Sequence, residues 1–192
     1  PLNITRARFE GNTTVMGAEG SGGGGVYISS ADVNLKDSTV IGNTAARGGG
    51  GLGSMSAGVI NAQNTVFYNN RDSSGSGGAI CAQYAADINL TNVTVGGNSA
   101  PGIFSCSVSG GNSLTIVNSA LWGNGGQELR TRIDDGVPCW SEVSVTHSNV
   151  AQASGVYPGT GNLNVDPLFV APATGDLRPA TNSPLLDAGT AA

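Results

Sequence analysis

The chain of 192 residues has one lysine, Lys36, and one histidine, His147, and only 11% of it is charged, at a formal net charge of -5. Without a basic patch, neither nucleic acid nor an anionic membrane surface is an expected partner. No run approaches the roughly 20 apolar residues that a membrane-crossing helix needs, and no signal peptide is visible. Apolar residues nowhere recur at helical spacing. Three cysteines, Cys81, Cys106 and Cys139, permit a single disulfide. Low charge with 31 glycines is the composition of a low-complexity segment. A long-range period argues for order instead.

That period appears where an apolar residue is followed three positions later by asparagine, ending at Asn12, Asn43, Asn70, Asn98 and Asn124. The spacing is about 26 to 31 residues, that of a solenoid repeat. Each repeat also carries a triplet that alternates apolar, polar, apolar, as in Leu2-Asn3-Ile4, Val33-Asn34-Leu35, Ile60-Asn61-Ala62, Ile88-Asn89-Leu90, Leu114-Thr115-Ile116 and Val143-Ser144-Val145. This is the period of a half-buried strand. Five residues on stands a second inward position: Phe9, Val40, Phe67, Val95, Leu121 and Val150. A glycine cluster then leads to a third apolar run, as in Gly24-Gly25-Val26-Tyr27-Ile28 and Gly77-Gly78-Ala79-Ile80. The spacing predicts an all-β chain, a right-handed parallel β-helix of about six coils with three short strands per coil.

Stacked coils lie about 4.8 Å apart, so equivalent asparagines can hydrogen-bond in a ladder. The predicted ladder is Asn12, Asn43, Asn70, Asn98 and Asn124, turned inward at a corner; the alternative is turn asparagines facing water. Gly11, Gly42, Gly97 and Gly123 precede four of them, which suits a corner of positive φ. In the sixth coil Ala153 replaces the asparagine.

Gly-Gly-Ala-Ile at residues 77 to 80, with Phe-x-x-Asn at Phe9 to Asn12 and Phe67 to Asn70, resembles the repeat of polymorphic outer-membrane proteins, surface adhesins of the pectate-lyase-like β-helix superfamily. That resemblance covers about residues 2 to 125. Residues 118 to 189 are similar to the terminal part of secreted bacterial β-helix proteins of the choice-of-anchor type, on the strength of Asn118 to Asn124, Gly159 to Asn162, Asp166 to Val170, Gly175 to Leu177 and Ser183 to Gly189. Both resemblances imply an extracellular or cell-surface location, and the second implies a closing segment.

Residues 1–153 are accordingly read as coils and 154–192 as a cap of the same domain. Pro167, Pro172, Pro179 and Pro184 interrupt strand pairing there, and Leu168, Phe169, Leu185 and Leu186 are the expected plugs of the stack. Because Leu2 already belongs to a triplet, the array is expected to have begun earlier. Other protein subunits, or further coils of the same polypeptide, are therefore the expected partners at the N-terminal end.

Catalysis on such a fold needs carboxylates or calcium ligands grouped on one outward face. The outward columns Thr5, Lys36, Gln63, Thr91, Val117, Thr146 and Arg6, Asp37, Asn64, Asn92, Asn118, His147 hold no such group. Charge concentrates only in Glu128, Arg130, Arg132, Asp134 and Asp135, where Asp134 and Asp135 are candidate calcium ligands or a solvated loop. No other cofactor is expected. Tyr68 and Trp122 stand on one column two coils apart, about 9.6 Å, as a candidate surface for glycans or partner proteins, with Gly96 as a gap between them. His147 reads as an exposed turn residue, and Asn162, Asn164 and Asp166 as turn formers. Cys106 with Cys139 is the preferred disulfide and Cys81 with Cys106 the second; three free thiols are the alternative. Among the sequons, Asn12 is expected to be inaccessible in the ladder, while Asn3 and Asn89, on an outward column, are the candidate glycosylation sites. The leading functional expectation is a non-catalytic structural, adhesive or assembly module. The alternative is a carbohydrate-active protein, a polysaccharide lyase, hydrolase or glycan-binding module.

Overall fold

The computed structural model describes residues 1–15, 22–54, 56, 58–83, 86–107, 111–131 and 141–190. The alternating triplets form one parallel sheet of six strands, Leu2–Thr5, Val33–Lys36, Gly58–Gln63, Ala86–Thr91, Asn112–Val117 and Ser141–Thr146. Leu2, Val33, Ile60, Ile88, Leu114 and Val143 lie in one register row, so each triplet stacks directly on the next. The second inward positions belong to another six-stranded parallel sheet that starts at Arg8–Glu10 and ends at Asn149–Val150. The runs after the glycine clusters form a third face of five strands, Val26–Ile28, Leu52–Ser54, Ile80–Gln83, Ile103–Cys106 and Leu129–Arg130. The fold is an all-β parallel solenoid.

Two details differ from the expectation. The solenoid makes about four turns rather than six. A fourth element also appears in the first three coils, the two-residue strands Thr13–Thr14, Thr44–Ala45 and Arg71–Asp72. They form where the backbone just past the asparagine still lies within pairing distance of its neighbour.

Inward residues of the three main faces meet in one continuous core that includes Leu35, Leu52, Phe67, Ile88, Ile103, Ile116 and Leu121, all fully buried. A corner of constant geometry joins the first two faces: Arg6, Asp37, Asn64, Asn92, Asn118 and His147 all have φ between 48 and 55°. Asparagine and aspartate tolerate this left-handed conformation better than most residues, which explains their hold on the column.

The C-terminal segment divides its work. Residues 157–165 cover the last rung: Tyr157 packs on the core, Leu163 bridges to Asn149, and Asn162 donates to the carbonyl of Val145 at 2.8 Å while accepting from Ser148 N–H at 3.0 Å. The proline-rich part beyond does not plug the end. Leu168 and Leu186 are exposed, and Phe169 and Leu185 are only half-buried. This part folds instead along the side of the solenoid as a strap, built on an antiparallel hairpin of Phe169–Ala171 with Asp176–Pro179. Asn162, already spent on the backbone of the last rung, leaves the later leucines no open end to fill.

Candidate functional site

At the corner after the second face, Asn12, Asn43, Asn70, Asn98 and Asn124 are joined in series. Each Nδ2 donates to the Oδ1 of the next coil, at 2.9, 3.0, 3.0 and 2.8 Å. The same Oδ1 also accepts the backbone N–H of the preceding asparagine, and the second amide hydrogen of each asparagine from Asn43 onward reaches a backbone carbonyl, as from Asn70 to Val40 at 2.8 Å. Every polar atom of Asn70 is thereby paired at zero exposure. Asn12 differs from the expectation. It lies in the first rung with no coil above it and is exposed.

The ladder does not stop at Asn124. Glu128 is buried, 5% exposed, and its carboxylate accepts both the backbone N–H and the Nδ2 of Asn124. It supplies the acceptor that a sixth asparagine would have provided. Burial raises its carboxyl above the usual glutamate value, and the donors of Asn124 and Gly123 oppose the shift. A single charged loop was the expectation for residues 128 to 135, and Glu128 is a structural terminus instead. Arg130 stacks over the ring of Phe104 at 5.1 Å. Arg132, Asp134 and Asp135 lie outside the described residues. Among the described residues no group of three or more His, Cys, Asp or Glu is placed to hold a metal ion.

Outward on the first face runs a second amide ladder of opposite polarity. Asn34 donates to Asn3, Asn61 to Asn34 and Asn89 to Asn61, at 2.7, 2.8 and 2.9 Å. Beside it, Asn64 donates to Asp37 at 2.9 Å and Asn92 to Asn64 at 3.2 Å. A shallow groove of about 330 Å³ crosses this face, bordered by Asn34, Lys36, Asn61, Gln63, Asn89 and Thr91. The middle positions of the triplets were the available signal for this ladder, since Asn3, Asn34, Asn61 and Asn89 occupy the same column. Of the two candidate glycosylation sites, Asn3 is exposed and uses only its Oδ1, whereas Asn89 commits its Nδ2 to Asn61.

The Tyr68 and Trp122 surface is not open. Both are half-buried, Tyr68 donates its hydroxyl to the carbonyl of Pro172 at 2.8 Å, and its ring lies against Gly175. Leu177, 8% exposed, sits over Gly96 in the gap between the two aromatics. The strap thus occupies the column offered to a ligand.

His147 is half-buried, with φ 48° and its ring against Gly161. Asn164 and Asp166 spend their side chains on nearby backbone, on Gln152 and Gly155 and on Leu168 respectively. Cys106 is disulfide-bonded and Cys81 is a buried free thiol, which overturns both a bond between these two and a set of three free thiols. Cys139 lies outside the described residues. Burial first, and the carboxylate of Asp72 second, push the Cys81 thiol far up, so it stays protonated and unreactive.

No helix among the described residues is long and apolar enough to cross a membrane. Comparison of the chain with known protein families, with curated proteins and with solved structures gave no match.

Proposed function

We propose that the chain is an extracellular or cell-surface β-helix module with a structural, adhesive or assembly role and no catalytic activity. The observation that carries this reading is the first face: a flat array of amides already hydrogen-bonded to one another and therefore held rigid. Such groups offer repeated polar contacts, but they have no proton to exchange near neutral pH. Its partners are other protein subunits, or further coils of the same polypeptide, stacked on the first rung, where Leu2–Thr5 is paired on one side only. The resemblance to surface adhesins supports the location. Incubation with acidic and neutral polysaccharides, followed for unsaturated or reducing ends, is expected to show no turnover. Turnover that disappears when Asp134 and Asp135 are replaced by alanine overturns the proposal.

A glycan-binding module is the second reading, favoured by the shallow groove in which Lys36 stands among Asn34, Asn61 and Gln63. Retention of the chain on an immobilised polysaccharide, lost when Asn61 and Gln63 are changed to alanine, would select it over a purely structural role.

A further inference from the structure

Between the first corner and the strap lies a cleft of about 380 Å³, within the size range of small-molecule sites. Phe169 and Leu185 of the strap and Leu163 of the end cover supply apolar wall, and Asn92, Thr94 and His147 supply polar wall. Asn92, Asn118 and His147 occupy the same left-handed position on successive rungs, so Asn92 and His147 stand two rungs apart along the cleft, about 9.6 Å.

Most polar groups here are already paired. Asn118 spends its amide on Thr190, donating to its carbonyl at 2.8 Å and accepting its N–H at 2.9 Å. Ser119 and Ser148 donate to the carbonyls of Val117 and Thr146, and Asn149 is engaged with Val165. Four groups remain, among them the Thr190 hydroxyl, since among the described residues only the backbone of that residue is engaged. Asn92 gives its Nδ2 to Asn64, but among the described residues no donor reaches its Oδ1, because Asn118 has turned to the strap. Thr94 makes no side-chain hydrogen bond among the described residues. His147 has a buried Nδ1 without a partner. Only His147 Nδ1 is buried, whereas Asn92 is exposed and Thr94 half-buried; what marks the cleft as a site is a concave apolar wall with a few open polar groups on it.

We propose that this cleft binds a small neutral molecule with an apolar body and a hydroxyl group. A hydroxyl donates and accepts at once, so it gives Asn92 Oδ1 the donor it lacks and lets Thr94, on the same rung, serve as its second partner. The apolar body rests on Phe169 and Leu185. An anion is a poorer fit, since no lysine or arginine among the described residues lines the cleft. This site is independent of the adhesive or structural reading and stands or falls without it.

His147 is the only histidine, so its ring resonances report on the cleft alone. The full chain titrated with phenol is expected to show a saturable shift of these signals, with binding roughly tenfold tighter than that of benzene, which lacks the hydroxyl. Asn92→Gly removes the acceptor and keeps the left-handed backbone; it is expected to erase the preference for phenol while the circular dichroism spectrum stays unchanged. Ala188→Phe, which fills the cleft, is expected to abolish saturation. Shifts that grow linearly without saturating, equal affinity for phenol and benzene in the unchanged chain, or undiminished phenol preference in Asn92→Gly would each overturn the proposal.

Discussion

Asn70 and Glu128 show how single side chains hold a stack of parallel strands together. Replacing Asn70 with alanine leaves Asn43 without its acceptor and takes one of its two donors from Asn98 inside the core. The expected loss is about 3 kcal/mol or more, read from urea unfolding. Asn12→Ala, at the exposed end of the same row, is expected to cost under about 1 kcal/mol. Equal losses at the two positions would mean that the ladder acts only as local turn structure. Glu128 adds a pH dependence of definite sign. Its folded carboxyl titrates above the unfolded one, so the folded state holds the proton more readily, and stability falls as pH rises from the ordinary glutamate range through the raised value. Glu128→Gln keeps an acceptor for Asn124 and cannot ionise. Melting temperatures from pH 4 upward are expected to decline less steeply in the variant, with the two proteins closest at the acid end.

The strap and the glycine clusters are the elements in which small distances decide the outcome. Leu177 reaches the solenoid because Gly96 has no side chain, and a Cβ at that position would lie 3.1 Å from Leu177 Cδ1. Leu177→Ala is expected to cost about 2 to 3 kcal/mol of strap attachment. Hydrogen exchange should then speed up in residues 169–179 and stay unchanged in the middle rungs; uniform acceleration would show that strap and solenoid unfold as one unit. At Gly102 an added Cβ would meet Glu128 O at 2.8 Å and Asn124 Nδ2 at 2.9 Å, whereas at Gly123, with φ +73°, nothing lies within 4 Å. Gly123→Ala therefore costs only the left-handed backbone, about 1 to 2 kcal/mol. Gly102→Ala must displace the end of the ladder itself.

At the scale of the whole molecule, each coil touches only its neighbours, so stability is a sum of stacking terms along one axis. One end is covered by residues 157–165, while at the other Leu2 is 57% exposed. Opening of the isolated chain is expected to begin at the first rung. Native-state hydrogen exchange would show protection rising from Leu2–Thr5 toward Ala86–Thr91, and a flat profile would mean that the solenoid opens all at once.

The sequence by itself determined the parallel pairing, its register and the positive φ of Gly11, Gly42, Gly97 and Gly123, because in a solenoid each residue meets its own equivalent one coil away. Any rule that acts between neighbours is therefore written as a column, as in Val33, Ile60 and Ile88 or in Asn43, Asn70 and Asn98. Only the tertiary structure decided what breaks the repeat. Glu128 lies four residues beyond Asn124 and outside the asparagine column, yet its carboxylate takes the place of the next amide. The proline-rich tail reads in sequence as an end plug and folds as a side strap, since proline forbids continued pairing without choosing a direction. Contacts such as Tyr68 with Pro172 and Asn118 with Thr190, far apart in sequence and made once each, chose the side and closed the cleft. A contact made once leaves no period to read.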